Sequence, residues 1–209
     1  MGAQSADGVL VLDKPSGVTS FDLVRRVRRA AGQKKIGHTG TLDPMATGVM
    51  VLCLGRATKL AAFFEAGEKE YLARILLGLT TDSDDVTGRV TAKRSGFDLS
   101  PAEVIRIASE FVGEIEQVPP AYSAVKIDGR RAYDLARRGQ AVRLKSRNVR
   151  VFDLAVTRFE PPRVTIRARV SKGTYLRSLA ADIGRRLGVG ACLDQLRRLA
   201  VGPFDLQQA

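Results

Sequence analysis

The 209-residue sequence has no tryptophan, one histidine and two cysteines, and aromatic side chains make up only 6% of it. Each scarcity removes a class of chemistry. A single histidine, His38, excludes histidine-rich zinc sites, and Cys53 and Cys192 lack the spacing of a paired thiolate site, so no metal is expected. Two unrelated thiols, and no charged-then-apolar pattern in Met1–Asp7, make a reducing cytoplasm the expected compartment. No run approaches the roughly 18 apolar residues of a membrane span. Neither G-x-x-x-x-G-K-[ST] nor G-x-G-x-x-G occurs, which removes the usual nucleotide and dinucleotide cradles. G-x-S-x-G is also missing, so His38 has no serine elbow to serve. The acidic run Asp82, Asp84, Asp85 departs from a calcium loop at Val86 and Gly88 and reads as a solvated turn. No cofactor is implied, and the chemistry that remains belongs to carboxylates.

What the sequence has in excess is positive charge. Lys and Arg number 34 against 22 Asp and Glu, a formal net charge of +12. The excess is uneven: residues 1–64 carry 9 basic and 4 acidic side chains, 65–116 carry 6 and 11, and 117–209 carry 19 and 7. Evenly mixed charge would serve solubility with less self-repulsion, so the asymmetry points to a polyanionic partner. Lys126, Arg130, Arg131, Arg137, Arg138, Arg143, Lys145, Arg147 and Arg150 fall close together with only Asp128 and Asp134 among them. Nucleic acid is the leading partner, because neutralised phosphates release counterions and binding then weakens steeply with salt. A membrane surface fits less well, since no long amphipathic helix pairs these charges with an aromatic face.

With 44% hydrophobic residues the chain is globular, and at this length it buries roughly 70% of its extended surface without disulfides. Strand patterns occur at Val9–Leu12, Gly48–Leu54 and Tyr71–Leu77. Strict alternation puts Val164, Ile166, Ala168 and Val170 on one face against Thr165, Arg167 and Arg169. Helical patterns cover Phe21–Ala31 after a cap at Ser20, Ala57–Ala66, Pro101–Val112 after Ser100, and Tyr175–Leu187. In the last, Leu176, Leu179, Ala180, Ile183 and Leu187 form the apolar stripe and Arg177 lies off it. From Pro119 to Ser146 the chain is basic and poorly periodic, apart from a helical piece near Ala132–Arg138, and reads as an arm projecting from a single domain spanning residues 1–209.

The most unusual segment runs from His38 to Gly48, polar and glycine-punctuated, with Asp43-Pro44 at its centre and an apolar strand directly after it. An Asp-Pro pair between glycines is by itself a turn signal. A loop abutting a buried strand also holds a carboxylate on a rigid edge, here beside a histidine and several hydroxyls. A second loop, Ser171–Thr174, leads into Tyr175 and Arg177 at the start of a helix. A guanidinium paired with Asp43 would keep that carboxylate ionised against desolvation.

These loops, with D-K-P-x-G-x-T-S at Asp13–Ser20, H-x-G-T-L-D-P-x-A-T-G at His38–Gly48, K-E-Y at Lys69–Tyr71, S-A-V-K-x-x-G-x-R-A-Y at Ser123–Tyr133 and S-K-G-T-Y-x-R at Ser171–Arg177, closely resemble the TruB family of tRNA pseudouridine synthases. The likeness runs in order through nearly the whole chain. It implies an α+β fold, with a mixed, largely antiparallel sheet flanked by helices around a central RNA-binding cleft. The implied activity is cofactor-free isomerisation of uridine to pseudouridine at tRNA position 55, in the T loop.

The resemblance also implies roles. Asp43 matches the essential aspartate, acting either on the sugar C1′ or on a 2′ proton. Arg177 matches the arginine that pairs with it, and Tyr71 the tyrosine that stacks on the target base. His38 matches a space-filling residue near the flipped nucleotide, and Lys14 a pocket-shaping position. Tyr175 and Leu196 match pocket walls, where they would equally serve as ordinary core. The arm would be an RNA-clamping thumb in which Arg137 and Arg138 hold phosphates of the tRNA T arm, with no obligatory protein partner. Bacterial relatives continue beyond the equivalent of Phe204 with a small PUA-type RNA-binding domain, which this sequence is expected to lack. Two rival readings are a guide-RNA-dependent synthase of the Cbf5 kind and a tRNA chaperone without catalysis.

Overall fold

The computed structural model describes residues 6–123, 125–127, 129–138, 140, 142 and 144–209. Asp128 and Arg143 of the basic run lie outside the described residues. In chain order the elements are β1 (Gly8–Lys14), α1 (Ser20–Ala30), β2 (Ile36–His38), β3 (Thr47–Leu54), a 3-10 segment (Gly55–Leu60), α2 (Ala61–Ala66), β4 (Lys69–Leu77), β5 (Leu79–Thr81) and β6 (Val90–Lys93). There follow α3 (Pro101–Ser109), β7 (Gly113–Gln117), β8 (Lys126–Ile127), β9 (Arg130–Arg131), α4 (Ala132–Arg137), β10 (Arg147–Glu160), β11 (Arg163–Val170), α5 (Leu176–Arg186), β12 (Ala191–Val201) and β13 (Phe204–Asp205). The fold is α+β with a mixed sheet, as the resemblance implies. Two compact units make it up: Met1–Leu72 with Gln195–Ala209, and Ala73–Asp194.

In the first unit β3 is the central strand. β1 pairs antiparallel along its whole length, from Gly8 opposite Leu54 to Lys14 opposite Gly48. On the other side β2 pairs antiparallel with its far end and β12 pairs parallel with its start. A strand flanked on both sides and covered on both faces must be apolar throughout, and Gly48 to Leu54 are all buried. Val49, Val51 and Val201 form a core cluster there, packed against Val11, Phe204 and Leu206. Gly48 sits at φ +104°, and a Cβ at that position would lie 2.1 Å from the Arg198 carbonyl oxygen, so the parallel pairing with β12 requires glycine. The cap of α1 is Thr19 and not Ser20: Thr19 Oγ1 accepts from Asp22 N–H while Asp22 accepts from Thr19 N–H, a closed capping box.

In the second unit β10 pairs antiparallel with β11 on one side and with β7 on the other. The alternation read for β11 holds, with Val164, Ile166, Ala168 and Val170 buried. α3 begins at the Ser100 cap as read but stops at Ser109, after which Glu110, Phe111 and Val112 N–H bond to the carbonyls three residues back and the chain enters β7 at Gly113, φ +114°. The pattern read at Ala57–Ala66 is a 3-10 segment followed by the short α2, in the first unit. β10, β12 and β7 have no counterpart among the sequence-read elements. β10 carries register shifts between Val151 and Asp153 and between Val156 and Arg158, which break the period-two pattern by which a strand is recognised. α5 buries Leu176, Leu179, Ala180 and Ile183 as its stripe requires, but Arg177 is buried too, at 4% exposure.

Candidate active site

The segment from Thr39 to Ala46 is a loop whose carbonyl oxygens are held almost one by one. Asp43 C=O accepts from Ala46 N–H at 3.0 Å with Pro44 second in the turn, so the Asp-Pro pair does form a turn. Ser20 Oγ donates to Leu42 C=O at 3.1 Å and accepts from Leu42 N–H at 2.9 Å. Gly17 N–H donates to Pro44 C=O at 2.8 Å, and Ser16 Oγ to Met45 C=O at 3.1 Å. The Lys14 ammonium, fully buried, donates to the carbonyls of Pro15, Pro44 and Ala46 at 3.0, 3.1 and 2.7 Å. Four residues of the D-K-P-x-G-x-T-S segment thus grip the loop on both sides of Asp43. This gives the two motifs a physical reason to occur together: one carries the half-buried carboxylate and the other removes its backbone freedom.

The electrostatics of this loop are set by two buried cations. Burial pushes the Lys14 ammonium below its ordinary pKa, the Asp43 carboxylate draws it back up, the Arg198 guanidinium lowers it and Asp22 raises it. Arg198, on the inward face of β12 and 2% exposed, donates through Nε to Val49 C=O at 2.7 Å and through Nη2 to Gly40 C=O at 3.4 Å. Its Nη2 also lies 3.6 Å from the Met50 sulfur. His38 ends β2, and its Nδ1 accepts from Gly40 N–H at 3.4 Å. Burial lowers its pKa and Arg198 lowers it further, against smaller opposing effects from Glu65 and the backbone, so the ring is held neutral. Lys14, His38 and Asp43 are therefore gathered around one loop. Tyr71 is buried on β4 at 7% exposure, and Leu196 on β12 at 8%.

In the second unit Arg177 is fixed by backbone oxygens. Nη1 donates to Ser83 C=O at 3.0 Å, and Nη2 to Tyr122 C=O at 2.9 Å. Nη1 also stands 3.7 Å from Asp85 Oδ2 in an ion pair whose side chains are 5% and 7% exposed. Asp85 accepts in turn from Ser83 Oγ, Thr87 N–H and Thr87 Oγ1 at 2.9, 2.9 and 2.5 Å. The acidic run is therefore not a solvated turn at Asp85. Leu193 N–H and C=O bond to Asp84 C=O and Val86 N–H, tying the loop to β12 and drawing Asp85 inward. Tyr175 caps α5, and buried Gln117 holds its backbone from both sides: Oε1 accepts from Tyr175 N–H at 2.8 Å and Nε2 donates to Tyr175 C=O at 3.2 Å. Arg137 lies on α4, and Arg138 follows it, exposed. Asp43, Tyr71, His38, Lys14 and Leu196 thus belong to the first unit, and Arg177, Tyr175, Arg137 and Arg138 to the second.

Sequence reasoning missed Ser20, Gln117, Asp85 and Arg198 as residues that position these groups. A signal existed for Arg198, since Leu196 and Arg198 alternate with Gln195 and Arg197 at strand spacing, putting one arginine of the pair inward. None existed for Asp85, whose burial depends on a contact more than a hundred residues away. Among the described residues no cluster of three or more His, Cys, Asp or Glu could hold a metal ion, and no helix is long and apolar enough to cross a membrane.

Comparison with known proteins gives the family. Residues 28–176 match the model of the TruB family pseudouridylate synthase N-terminal domain, and residues 177–209 match the tRNA pseudouridylate synthase B C-terminal domain. The chain is 46% identical over 200 residues to tRNA pseudouridine synthase B of Clostridium kluyveri, covering 96% of this chain and 69% of the relative. It is 48% identical over 212 residues to the protein of the same name from Thermobifida fusca, covering 98% and 72%. Among solved structures it is similar to a chain of a Cbf5-Nop10-Gar1 complex, with TM-score 0.74, 34% identity, and 95% of this chain and 50% of that one covered. A chain of an H/ACA RNP bound to a substrate RNA containing 2′-deoxyuridine gives TM-score 0.71, 32% identity, and coverage of 95% and 49%. The chain spans about two thirds of the length of such curated relatives and half that of these solved chains. It belongs to the TruB family of pseudouridylate synthases, which are isomerases.

Proposed function

We propose that this chain isomerises uridine to pseudouridine at position 55 in the T loop of tRNA, in the cytoplasm and without a cofactor. The reaction breaks the N1–C1′ bond, turns the detached uracil, forms a C5–C1′ bond, and exchanges the C5 proton for one at N1. No atom is gained or lost, so no co-substrate is required. The observation that carries this reading is the loop around Asp43, a carboxylate on a backbone whose oxygens are held by Ser16, Gly17, Ser20 and Lys14. Such a loop costs little to reorganise when a ribose is presented to it.

Within this reading Asp43 acts on the ribose of the target nucleotide, and Arg177 has the charge-balancing role that the family resemblance implies. The target base must leave the stack at a cost of about a few kcal/mol, of which stacking on an aromatic side chain returns about 1–3 kcal/mol. Tyr71 is the residue for that role. His38, neutral and beside the loop, fills space near the flipped nucleotide, while Tyr175 and Leu196 wall the pocket. The arm containing Arg137 and Arg138 clamps phosphates of the T arm.

The test is tritium release from a tRNA transcript carrying 5-tritiated uridine. The wild-type chain releases tritium from bare tRNA with no guide RNA or protein added. Asp43→Asn releases none above background while binding tRNA as before. A wild-type chain that binds tRNA but stays silent on it would favour the guide-dependent or chaperone alternatives.

A further inference from the structure

A second charged surface, outside the arm, remains unused by this reading. Residues 21–35 hold Arg25, Arg26, Arg28, Arg29, Lys34 and Lys35 against one acid, Asp22. Asp22 is committed to the cap of α1 and to Arg25, and Arg28 donates through Nη2 to Ile36 C=O at 2.7 Å. Arg26, Arg29, Lys34 and Lys35 are exposed and have no acidic partner among the described residues. In the first turn of the same helix Phe21 is 53% exposed, with the Arg25 and Arg28 guanidinium carbons 5.9 and 5.7 Å from its ring centre. The apolar face of α1 is already spent inward on Leu23 and Val24, so the exposed face is not a lost piece of core.

Its position ties it to the site. α1 begins at Ser20, the residue bonded to Leu42 next to Asp43, so Arg26 and Arg29 stand about 9 and 13 Å along the helix from that anchor at about 1.5 Å per residue. Lys34 and Lys35 precede β2, whose last residue, His38, lies about 10 Å further on at about 3.3 Å per residue. Four cations and a guanidinium-flanked aromatic ring therefore sit on two segments bonded to this loop, α1 through Ser20 and the stretch into β2 through His38. Evenly solvated charge would be offset by acids; this face is not.

We propose that α1 and the turn leading into β2 form a second RNA-contact surface, an inference that rests on the isomerase reading for its substrate. Arg26, Arg29, Lys34 and Lys35 neutralise phosphates of the strand flanking the target nucleotide. Phe21, with two guanidinium carbons 5.9 and 5.7 Å from its ring centre, is a platform for an unstacked neighbouring base.

The test compares the wild-type chain, a variant with Arg26→Ala, Arg29→Ala, Lys34→Ala and Lys35→Ala together, the Lys34→Ala/Lys35→Ala pair, and Phe21→Ala. Binding to a tRNA transcript is measured across a salt series alongside tritium release. Once four phosphates are no longer neutralised, the dissociation constant at physiological salt rises about ten- to hundredfold, and the slope of log affinity against log salt becomes shallower by about 3. The lysine pair, in a turn outside any helix, gives about half that change in slope. The loss falls on Kd and KM rather than on kcat. Phe21→Ala weakens binding about fivefold or more with the salt slope unchanged. An unchanged Kd and slope in the quadruple variant overturns the surface, as does a quadruple variant that keeps its RNA affinity and loses affinity for vesicles of anionic phospholipid. A wild-type chain that binds tRNA with the full slope, loses that slope in the quadruple variant, and yet converts no uridine keeps the surface and overturns the isomerase reading.

Discussion

At the scale of single residues, the site is a problem of holding backbone oxygens. Ser20 is 3% exposed and satisfies both the N–H and the C=O of Leu42, itself 3% exposed. Ser20→Ala leaves both groups without that partner, at a cost of about 1–3 kcal/mol. In a chain of this size that lowers the melting temperature by roughly 2–10 °C. The same variant should lose isomerisation rate, because Leu42 is adjacent to Asp43; unaltered melting and rate would remove Ser20 from the site. His38 gives a pH test. Its pKa lies below the ordinary 6.5 because burial and Arg198 disfavour the charged ring. As pH falls through 6.5 the unfolded chain takes up a proton that the native chain refuses, so stability declines with acidification until the lower native value is passed. His38→Gln abolishes this contribution, and chemical denaturation of both chains at several pH values should show wild type losing stability relative to the variant as pH falls below 6.5. Parallel curves would mean the ring is not held neutral.

At the scale of elements, legibility follows local pattern. β11 can be read because each of its inward residues is aliphatic at strict spacing, and β3 because it is apolar throughout. β10 cannot, since two bulges interrupt its alternation and much of its length is charged and exposed. The loop carrying Asp43 is visible from its glycines and its Asp-Pro turn, but the clamp from Asp13–Ser20 is not, since it is a tertiary contact. Asp85 shows the limit most clearly: three closely spaced acids read as solvated, while the pairing of their loop with Leu193 buries one of them against Arg177. Asp85→Ala removes the carboxylate from that buried pair and also the acceptor for Ser83 and Thr87. It should cost about 3–5 kcal/mol, read as a drop of about 10 °C or more in melting temperature. A loss below about 1 kcal/mol would put the pair in the class of exposed, screened contacts.

At the scale of the whole molecule, charge and geometry are divided in a consistent way. The surplus of +12 is concentrated after residue 117 and on α1, while the middle of the chain is acidic. On the proposed function, counterion release from an RNA backbone supplies affinity and the carboxylate loop supplies the reaction. Membership of the TruB family fixes the reaction class, and the proposed function has that reaction turn on Asp43. The most direct test of that claim is to incubate a tRNA transcript with the wild-type chain or with Asp43→Asn, label pseudouridine with carbodiimide, and map it by reverse transcription. A single new stop at position 55 is expected with wild type and none with Asp43→Asn, at equal occupancy of the RNA. The same stop at the same rate with both proteins would contradict the role given to Asp43.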